Sequence, residues 1–376
     1  MIHIKGLTSA CLAALIASGP AAAQSTIVPE PPLGALQLTN IWTRLGDVNG
    51  EAGAVEVGVF SPNGRYIATG SKYDDQLIVW HTVDGTVAWR HTVEAEVEGI
   101  AFSPDSQYMA SGGEDLAVRV WRVRDGKQVG EYPADAALDS VAWSHDGRTV
   151  AAGEEDTGQV RVYDVAKGGK LTLRGIAKHG DTINSIDFAS DDSVMVTGGD
   201  NGRITVWRVA DLSEVRAIEA HDTTIKSVRL NPDDSLIVSG AGAGDVALWT
   251  LADGELIKRM WEPGYVEAVE FTPDGRFFVT GGHYMALHFY RVSDFLLGMS
   301  RREMDNIGWF GLAARFPAYA SEYIDFLPSG AMTTVHENGL VHLWLWSSDP
   351  AINYRSHRAL RERQKAKADR IKAGRE

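Results

Sequence analysis

The chain contains almost no cysteine, and this restricts how it can be stabilised. Cys11 is the only cysteine among 376 residues, so no disulfide can form within the chain. After the first few residues, no apolar run reaches the length needed to cross a bilayer. A chain of this length can bury a core large enough to fold without disulfides.

The sequence also lacks the short motifs that mark common catalytic centres. It has no Gly-x-Ser-x-Gly elbow, no His-Glu-x-x-His pair, no phosphate-binding loop and no adjacent pair of cysteines. We therefore predict no catalytic residue and no cofactor.

What the sequence does contain is one pattern repeated seven times. Each unit has a four-residue turn, a small-residue stop, an acidic turn and an aromatic residue that ends an apolar run. The closing aromatics are Trp80, Trp121, Tyr163, Trp207, Trp249, Tyr290 and Trp344. The spacing between them is nearly constant, except for a longer interval between Tyr290 and Trp344. A regular period of this kind is typical of repeat architectures.

Each unit is predicted to form a four-stranded antiparallel sheet. In the first unit the apolar runs are 55–60, 66–69, 77–80 and 87–90, and turn residues separate them. A sheet of this size leaves two apolar faces uncovered, so neighbouring sheets must stack in a ring. The sequence therefore predicts an all-β fold, a seven-bladed β-propeller.

The repeat resembles that of the WD-repeat family over residues 36–346. A Ser or Thr before the small-residue stop recurs as Thr69, Ser111, Thr197, Ser239, Thr280 and Thr333. His179 precedes Trp207, and His221 precedes Trp249, by the interval at which the family histidine precedes its tryptophan. The resemblance implies buried hydrogen-bond tetrads that include His179, Thr197 and Trp207 in one unit and His221, Ser239 and Trp249 in the next.

The last unit ends at Trp346 without a fourth strand of its own. Residues 36–44, which include Trp42, precede the first unit and can supply the missing outer strand. We predict that this N-terminal strand closes the ring.

The N-terminal end has the features of a secretory signal. Residues 1–23 combine Lys5, an apolar stretch and three alanines before Gln24, which predicts cleavage after Ala23. Acylation of Cys11 is the alternative, and we disfavour it because only ten residues precede that cysteine. Residues 24–35 contain three prolines and are predicted to be a linker. We expect an exported protein, periplasmic or secreted.

The C-terminal end differs from the repeat in charge. Residues 347–376 carry nine Lys and Arg against four Asp and Glu, a net charge of +5, whereas the whole chain has a formal charge of −14. Residues 1–346 therefore carry −19. This basic, helix-prone tail leaves three interpretations open: a solvated helix, a contact with an anionic surface, or a peptide that enters an acidic site on another molecule.

One column of the aligned units differs from the others because five of its seven members are acidic. We call it the inner ring: Glu56, Glu98, Asp139, Asn184, Lys226, Glu267 and Glu322. If the WD-repeat geometry applies, each member begins an innermost strand at the upper mouth of the central channel. Clustered carboxylates attract cations and basic peptides. We predict that the inner ring binds a partner.

The acidic turns between the second and third strands are predicted to reach the same face. They carry Asp74, Asp75, Glu114, Asp115, Glu154, Glu155, Asp156, Asp200 and Asp245. Asp in such turns also hydrogen-bonds its own backbone, and for these residues we favour that structural interpretation.

Histidines occur at matching positions in the last two units. His288 and His342 lie two residues before a closing aromatic and are predicted to face the packing between blades. His283 and His336, with Glu337 nearby, could contribute to a site on the upper face. Their spacing matches no metal-binding motif, so we predict no metal ligand.

The long interval between Tyr290 and Trp344 indicates an insertion at 291–320. It contains Trp309 and Phe310, which would anchor a protein contact if they are exposed. The alternative, which we favour, is that the aromatic residues of this segment cover blade six.

These features predict a non-catalytic protein-interaction platform in the cell envelope that binds a cationic partner or basic peptide at the acidic mouth. The alternative is a propeller enzyme, a hydrolase or quinoprotein-like dehydrogenase, with a cation held at the same mouth. The turns Asp84-Gly85 and Asp125-Gly126 are loosely similar to quinoprotein turns, but the fuller motif and the eightfold repeat of that family are missing. We predict no nucleic-acid partner, and the oligomeric state is left open.

Overall fold

The computed structural model describes residues 37–45, 54–73, 75–93, 95–296 and 312–347. The predicted signal, the predicted linker and the basic tail beyond Ser347 lie outside these residues, as do Asp74, Trp309 and Phe310. Among the described residues, no helix is long and apolar enough to cross a membrane.

The described chain forms seven four-stranded antiparallel sheets, which confirms the predicted propeller. Strand β1 (Gln37–Leu45) comes first in the chain but belongs to the last sheet. Blade one comprises β2 (Val55–Phe60), β3 (Tyr66–Ser71), β4 (Gln76–His81) and β5 (Val87–Thr92). Blade two comprises β6 (Val97–Phe102), β7 (Tyr108–Gly113), β8 (Ala117–Arg122) and β9 (Lys127–Pro133). Blade three comprises β10 (Leu138–Trp143), β11 (Thr149–Glu154), β12 (Gln159–Ala166) and β13 (Lys170–Lys178).

The other four blades follow in the same order. Blade four comprises β14 (Ile183–Phe188), β15 (Val194–Gly199), β16 (Arg203–Arg208) and β17 (Glu214–Glu219). Blade five comprises β18 (Ile225–Leu230), β19 (Leu236–Ala241), a 3-10 turn (Gly242–Gly244), β20 (Asp245–Thr250) and β21 (Leu256–Trp261). Blade six comprises β22 (Val266–Phe271), β23 (Phe277–Gly282), β24 (Ala286–Arg291), helix α1 (Val292–Leu296) and β25 (Leu312–Pro317). Blade seven comprises β26 (Ser321–Phe326), β27 (Ala331–His336), β28 (Leu340–Ser347) and β1.

The core lies between neighbouring sheets. Val79 of blade one, for example, packs in one buried cluster with Ile100, Met109 and Trp121 of blade two. The first strands of neighbouring blades contact each other around the whole ring, including β2 against β26. These innermost strands surround the central channel, and we call the end at which they begin the upper mouth. Each sheet thus covers the apolar faces of its neighbours.

The four-residue turn of each unit ends in a left-handed backbone conformation. Gly64 and Gly275 have φ of 67° and 66°, and Ser106, Asp192 and Asp234 have φ of 57°, 58° and 57° at the equivalent positions. Glycine suits this position because it has no Cβ, and short polar residues tolerate it. The shared backbone geometry explains why the turns of the seven units can be aligned although their residue types differ.

The ring closes as predicted, by pairing of β1 with β28. Leu38 lies opposite Trp346, and Leu45 lies opposite Leu340. Trp42 is buried, and its indole Nε1 donates a hydrogen bond to the Thr82 carbonyl of blade one, at 2.8 Å. The N-terminal strand therefore completes blade seven and also contacts blade one.

The predicted insertion is shorter than 291–320, because β25 pairs with β24 and is the fourth strand of blade six. Helix α1 starts the segment, and its Phe295 packs against Phe278 and Tyr290 with ring centroids 5.3 and 6.2 Å apart. This first aromatic residue of the segment covers blade six, as the favoured interpretation expects. The residues between α1 and β25 lie outside the described residues.

Candidate functional site

Each member of the inner ring is placed by a β-bulge. Every innermost strand shifts its pairing register between its first and third residues, for example between Val55 and Val57 and between Val97 and Gly99. The second residue has no direct partner on the neighbouring strand, and a bulge of this kind changes the direction of a side chain. In all seven blades that second residue is the inner ring residue.

The seven inner ring side chains line one cavity of about 230 Å³ at the upper mouth. Lys72, Glu155, Arg229 and Tyr323 line the same cavity. The alignment of the seven units thus identified residues that line one cavity, although these residues are far apart in the chain.

Arg229 and Tyr323 form the floor of this cavity. The Arg229 guanidinium donates hydrogen bonds to the Tyr323 hydroxyl, at 2.8 Å, and to Glu270 Oε2, at 2.9 Å. Both residues also line a second cavity of about 710 Å³ nearer the lower face. The channel is therefore divided into an acidic upper chamber and a lower chamber by a layer that the sequence analysis did not identify.

Carboxyl groups of blades two and three are adjacent in the upper chamber. Burial raises the pKa of Glu98 to about 8, and its hydrogen bond to Asp139 and the charge of that carboxylate act in the same direction. Burial also raises the pKa of Asp139 to about 6. Burial raises the pKa of Glu96 to about 7, and the hydrogen bond to Glu98 contributes. Glu98 therefore holds a proton near neutral pH, because its buried position stabilises a negative charge poorly.

The opposite wall contains both charge signs. Burial raises the pKa of Glu322 to about 8, and the charges of Glu56 and Glu267 reinforce this effect. Lys72 Nζ lies 2.9 Å from Glu56 Oε1. Burial opposes the charge on this ammonium group, but the hydrogen bond and charge of Glu56, together with the charges of Glu96 and Tyr73, outweigh burial and raise the pKa of Lys72. Lys72 therefore neutralises Glu56 more directly than it neutralises Glu322.

His283 lies between two carboxylates of the inner ring. Its Nε2 is 3.4 Å from Glu267 Oε1 and 4.0 Å from Glu322 Oε1, and its side chain is 45% exposed. His336, the other histidine suggested for this face, is buried and contacts the hydroxyls of Ser321 and Thr334. The structure therefore places His283 in the site and excludes His336 from it.

Two of the acidic turn residues are not at the mouth. Glu154 is fully buried and forms an ion pair with Arg161. Asp245 is buried and contacts His221 and Arg259. The expectation that these two carboxylates reach the upper face is therefore wrong, because each satisfies a buried cationic or imidazole group instead. Glu155, in contrast, lines the upper chamber.

The two buried networks implied by the family resemblance are present. In blade five, Ser239 Oγ accepts a hydrogen bond from Trp249 Nε1, at 2.9 Å, and contacts His221 Nε2, at 2.7 Å. Asp245 Oδ2 completes this tetrad, 2.7 Å from His221 Nδ1.

Blade four has a similar network, but the two imidazole nitrogens exchange their partners. Thr197 Oγ1 lies 2.9 Å from both His179 Nδ1 and Trp207 Nε1. Asn201 takes the place of the aspartate, with Oδ1 3.2 Å from His179 Nε2.

Blade six contains a modified tetrad that the sequence analysis missed. Glu262 precedes Tyr290 by the interval at which His221 precedes Trp249, so it occupies the position of the family histidine. It accepts hydrogen bonds from Thr280 Oγ1 at 2.6 Å and from the Tyr290 hydroxyl at 2.8 Å, and His288 Nδ1 lies 2.7 Å from its other oxygen. Counting the same interval back from the closing tyrosine would have found it.

Blade seven also differs from the aligned pattern. Trp344 Nε1 donates to Thr334 Oγ1, at 2.9 Å, whereas Thr333 Oγ1 donates to the His342 carbonyl. The hydroxyl that bonds the closing tryptophan is therefore that of Thr334, one residue after the Thr333 that the aligned repeat indicates. His288 and His342 are both buried, as predicted for positions between blades.

Exposed apolar side chains lie on the same face as the acidic mouth. They belong to turns of the upper face: Tyr73, Leu116, Tyr265 and Met285, which are 72%, 46%, 50% and 51% exposed. The Tyr265 ring lies 5.6 Å from the His283 ring, measured between centroids. Exposed apolar residues around a polar opening provide contact area for a partner.

A family model described as WD domain, G-beta repeat, matches residues 44–81, 89–122, 126–164, 171–208 and 212–250, which together make up half of the chain. A comparison with curated proteins returned no match. WD-repeat propellers commonly serve as protein-interaction scaffolds and are usually not catalytic. With five matched repeats and a closed ring of seven blades, the chain belongs to the WD-repeat family.

Proposed function

We propose that this protein is a non-catalytic interaction platform that binds a basic segment of a partner protein at its upper mouth. The observation that supports the proposal is the excess of acidic over basic side chains in the upper chamber. Of the residues that the structure describes, six with carboxyl groups line it: Glu56, Glu98, Asp139, Glu155, Glu267 and Glu322. Among the same described residues, three cationic ones line it, Lys72, Lys226 and Arg229.

Two of these cations are engaged within the protein. Lys72 pairs with Glu56, and Arg229 pairs with Glu270 in the layer below. The pKa values of Glu98 and Glu322 are raised to about 8, mainly by burial. A lysine or arginine side chain entering the chamber would supply positive charge where the protein supplies too little, and would favour ionisation of these carboxyls.

The size of the chamber limits what can enter. A cavity of about 230 Å³ with Arg229 and Tyr323 as its floor accommodates a long side chain rather than a folded element. The exposed rings of Tyr73 and Tyr265 on the rim would contact the flanking residues of the partner. The proposed ligand is therefore a segment with a lysine or arginine that projects from its backbone.

We also propose that binding takes place in the cell envelope. The support is the signal-like composition of residues 1–23. Mass spectrometry of the protein from its native host should find a mature N-terminus at Gln24, and a chain that retains residues 1–23 in the cytoplasm would contradict export.

Peptide binding provides the main test. We expect a Lys- and Arg-rich peptide to bind the purified protein, and the double variant Glu98→Gln, Asp139→Asn to bind at least about tenfold more weakly. This double variant leaves Glu267, His283 and Glu322 intact. Binding should also weaken between about 0.05 and 0.3 M salt, as screening predicts. Fluorescence anisotropy with a labelled peptide measures both effects.

The matched control is Glu219→Gln, a carboxylate on the outer strand of blade four whose side chain is 84% exposed. It removes one negative charge far from the channel and should leave the affinity unchanged. Equal affinities of the wild-type protein and the double variant, or affinity independent of salt, would disprove binding at the acidic mouth.

A further inference from the structure

We infer that Glu267, His283 and Glu322 form a binding site for a zinc-like divalent metal ion at the upper mouth. The three residues come from adjacent blades. Glu267 and Glu322 are the bulge residues of β22 and β26, and His283 directly follows β23. The inference does not depend on peptide binding at the wall that contains Glu98 and Asp139.

The positions of the donor atoms support a shared metal ion. One imidazole nitrogen and two carboxylate oxygens all lie within 4.8 Å of one another. A tetrahedral zinc site with bonds of about 2.0–2.1 Å separates its ligand atoms by about 3.3–3.4 Å. The distance from His283 Nε2 to Glu267 Oε1 is 3.4 Å, and the distance to Glu322 Oε1 is 4.0 Å. A small rotation of Glu322 would complete a three-ligand set.

The chemistry of the donors selects the metal. Imidazole and carboxylate together suit zinc and similar divalent transition metals, whereas calcium and magnesium prefer oxygen donors alone. A second group on the other side of the chamber, Glu98, Asp139 and Glu155, also brings its donor atoms within 4.8 Å of one another, but all of these donors are oxygens. A preference for zinc over calcium therefore distinguishes the histidine site from the all-carboxylate group.

The environment both favours and opposes the metal. Glu267 and Glu322 bring two carboxyl groups close to each other, so a cation between them would relieve their repulsion. Lys226 and Lys72 line the same chamber and provide competing positive charge. His283 is half-exposed and leaves the metal accessible to a fourth ligand from solvent or from a partner.

Isothermal titration calorimetry of the untagged, chelator-treated protein with zinc chloride provides the test. We expect one strong zinc equivalent, with calcium binding at least about tenfold more weakly. His283→Ala and Glu322→Gln should each reduce zinc affinity by at least about tenfold. His145→Ala is the control, because His145 is also exposed and pairs with Asp192 at 3.2 Å, but near the lower chamber.

Unchanged zinc affinity in His283→Ala would overturn the inference, and so would calcium that binds as tightly as zinc and is weakened equally by His283→Ala. Melting curves of the metal-free variants should match that of the wild-type protein or lie above it, which separates loss of a ligand from loss of the fold. Because the peptide test uses Glu98 and Asp139, failure of zinc binding and failure of peptide binding would be recognised independently.

Discussion

At the scale of single residues, the inner ring contains carboxyl groups whose protonated form is favoured in the folded protein. Burial raises the pKa of Glu98 and of Glu322 to about 8. A bulge directs each of them into a chamber whose other walls are largely acidic. Residues that raise the electrostatic energy of a fold in this way are typical of binding sites, because a ligand of opposite charge relieves the cost.

These shifts predict how stability depends on pH. The pKa of Glu98 is about 8 in the folded protein and about 4.3 in the unfolded chain. The protonated carboxyl therefore makes its full contribution to folding stability below about pH 4.3, and this contribution is lost as the pH rises through about 8. Gln at position 98 cannot ionise. We therefore expect Glu98→Gln to increase the free energy of unfolding at pH 8.5 by on the order of 1 kcal/mol relative to the wild-type protein, and to raise the melting temperature accordingly. At pH 4.5 the two proteins should differ little.

Thermal melts at the two pH values measure this effect, with Glu219→Gln as the exposed control. A Glu98→Gln effect of the same size at both pH values would show that the substitution acts through packing rather than through charge.

The buried networks show what residue patterns can and cannot predict. The blade-five network was recognisable because His221, Ser239 and Trp249 are the residue types of the family at the family spacing. Glu262 lies at the same spacing but is a different residue type, and its role follows only from its contacts with Thr280 and Tyr290. A carboxylate can replace the imidazole there because the tyrosine hydroxyl, the threonine hydroxyl and His288 all approach it.

At the scale of elements, outer strands contact the blade that follows. Trp42 of β1 donates to the Thr82 carbonyl at 2.8 Å, and Trp89 of β5 donates to the Val123 carbonyl at 2.6 Å. Arg216 of β17 reaches the Ala252 carbonyl in the same way, at 2.8 Å. The outer strand of one blade thus hydrogen-bonds to the turn after the third strand of the next blade. At the junction of blades seven and one this contact also closes the ring.

We expect Trp42→Ala to destabilise the propeller by about 3–5 kcal/mol, because it removes a buried aromatic side chain and its hydrogen bond to blade one. Chemical denaturation followed by intrinsic fluorescence measures the loss. Trp261→Ala is the matched control, since Trp261 ends an outer strand and is 65% exposed. Similar small effects of both substitutions would show that the N-terminal strand is not needed to close the ring.

The fourth strand of blade six illustrates a limit at this scale. The long interval between Tyr290 and Trp344 revealed that a segment was inserted, but it did not reveal where the sheet resumes. Strand β25 is recognised only through its pairing with β24, as when Phe316 lies opposite Leu287. Outer strands are less buried than inner ones, so their apolar pattern is weaker.

At the scale of the whole molecule, the propeller separates two environments along one channel. The upper chamber is lined by carboxylates, and the layer of Arg229, Glu270 and Tyr323 separates it from a lower chamber lined by more apolar residues, among them Phe102 and Trp143. A cationic side chain that enters from above would therefore meet carboxylates before it meets the Arg229 guanidinium. This order favours binding at the upper mouth over passage through the channel.

The charge of the chamber as a whole should make partner binding pH-dependent. Peptide lysines stay protonated up to about pH 10, whereas Asp139 and Glu98 ionise as pH rises through about 6 and about 8. We expect the affinity for a basic peptide to increase from pH 5.5 to pH 8.5, and the increase to be smaller in the double variant Glu98→Gln, Asp139→Asn. Titrations at each pH measure it, and an affinity that is constant or falls over this range would contradict ionisation on binding.

The sequence by itself determined the number of blades, the strands within most of them, the closing strand and the seven positions of the inner ring. It could do so because turns and buried strands constrain residue type locally, and the repeat presents each constraint seven times. Only the tertiary structure placed His283 between Glu267 and Glu322, buried Glu154 and Asp245, and placed Arg229 beside Tyr323 across the channel. Those relations join residues of different strands or blades, and distance across the ring, burial and charge are properties of packing that a pattern along the chain does not contain.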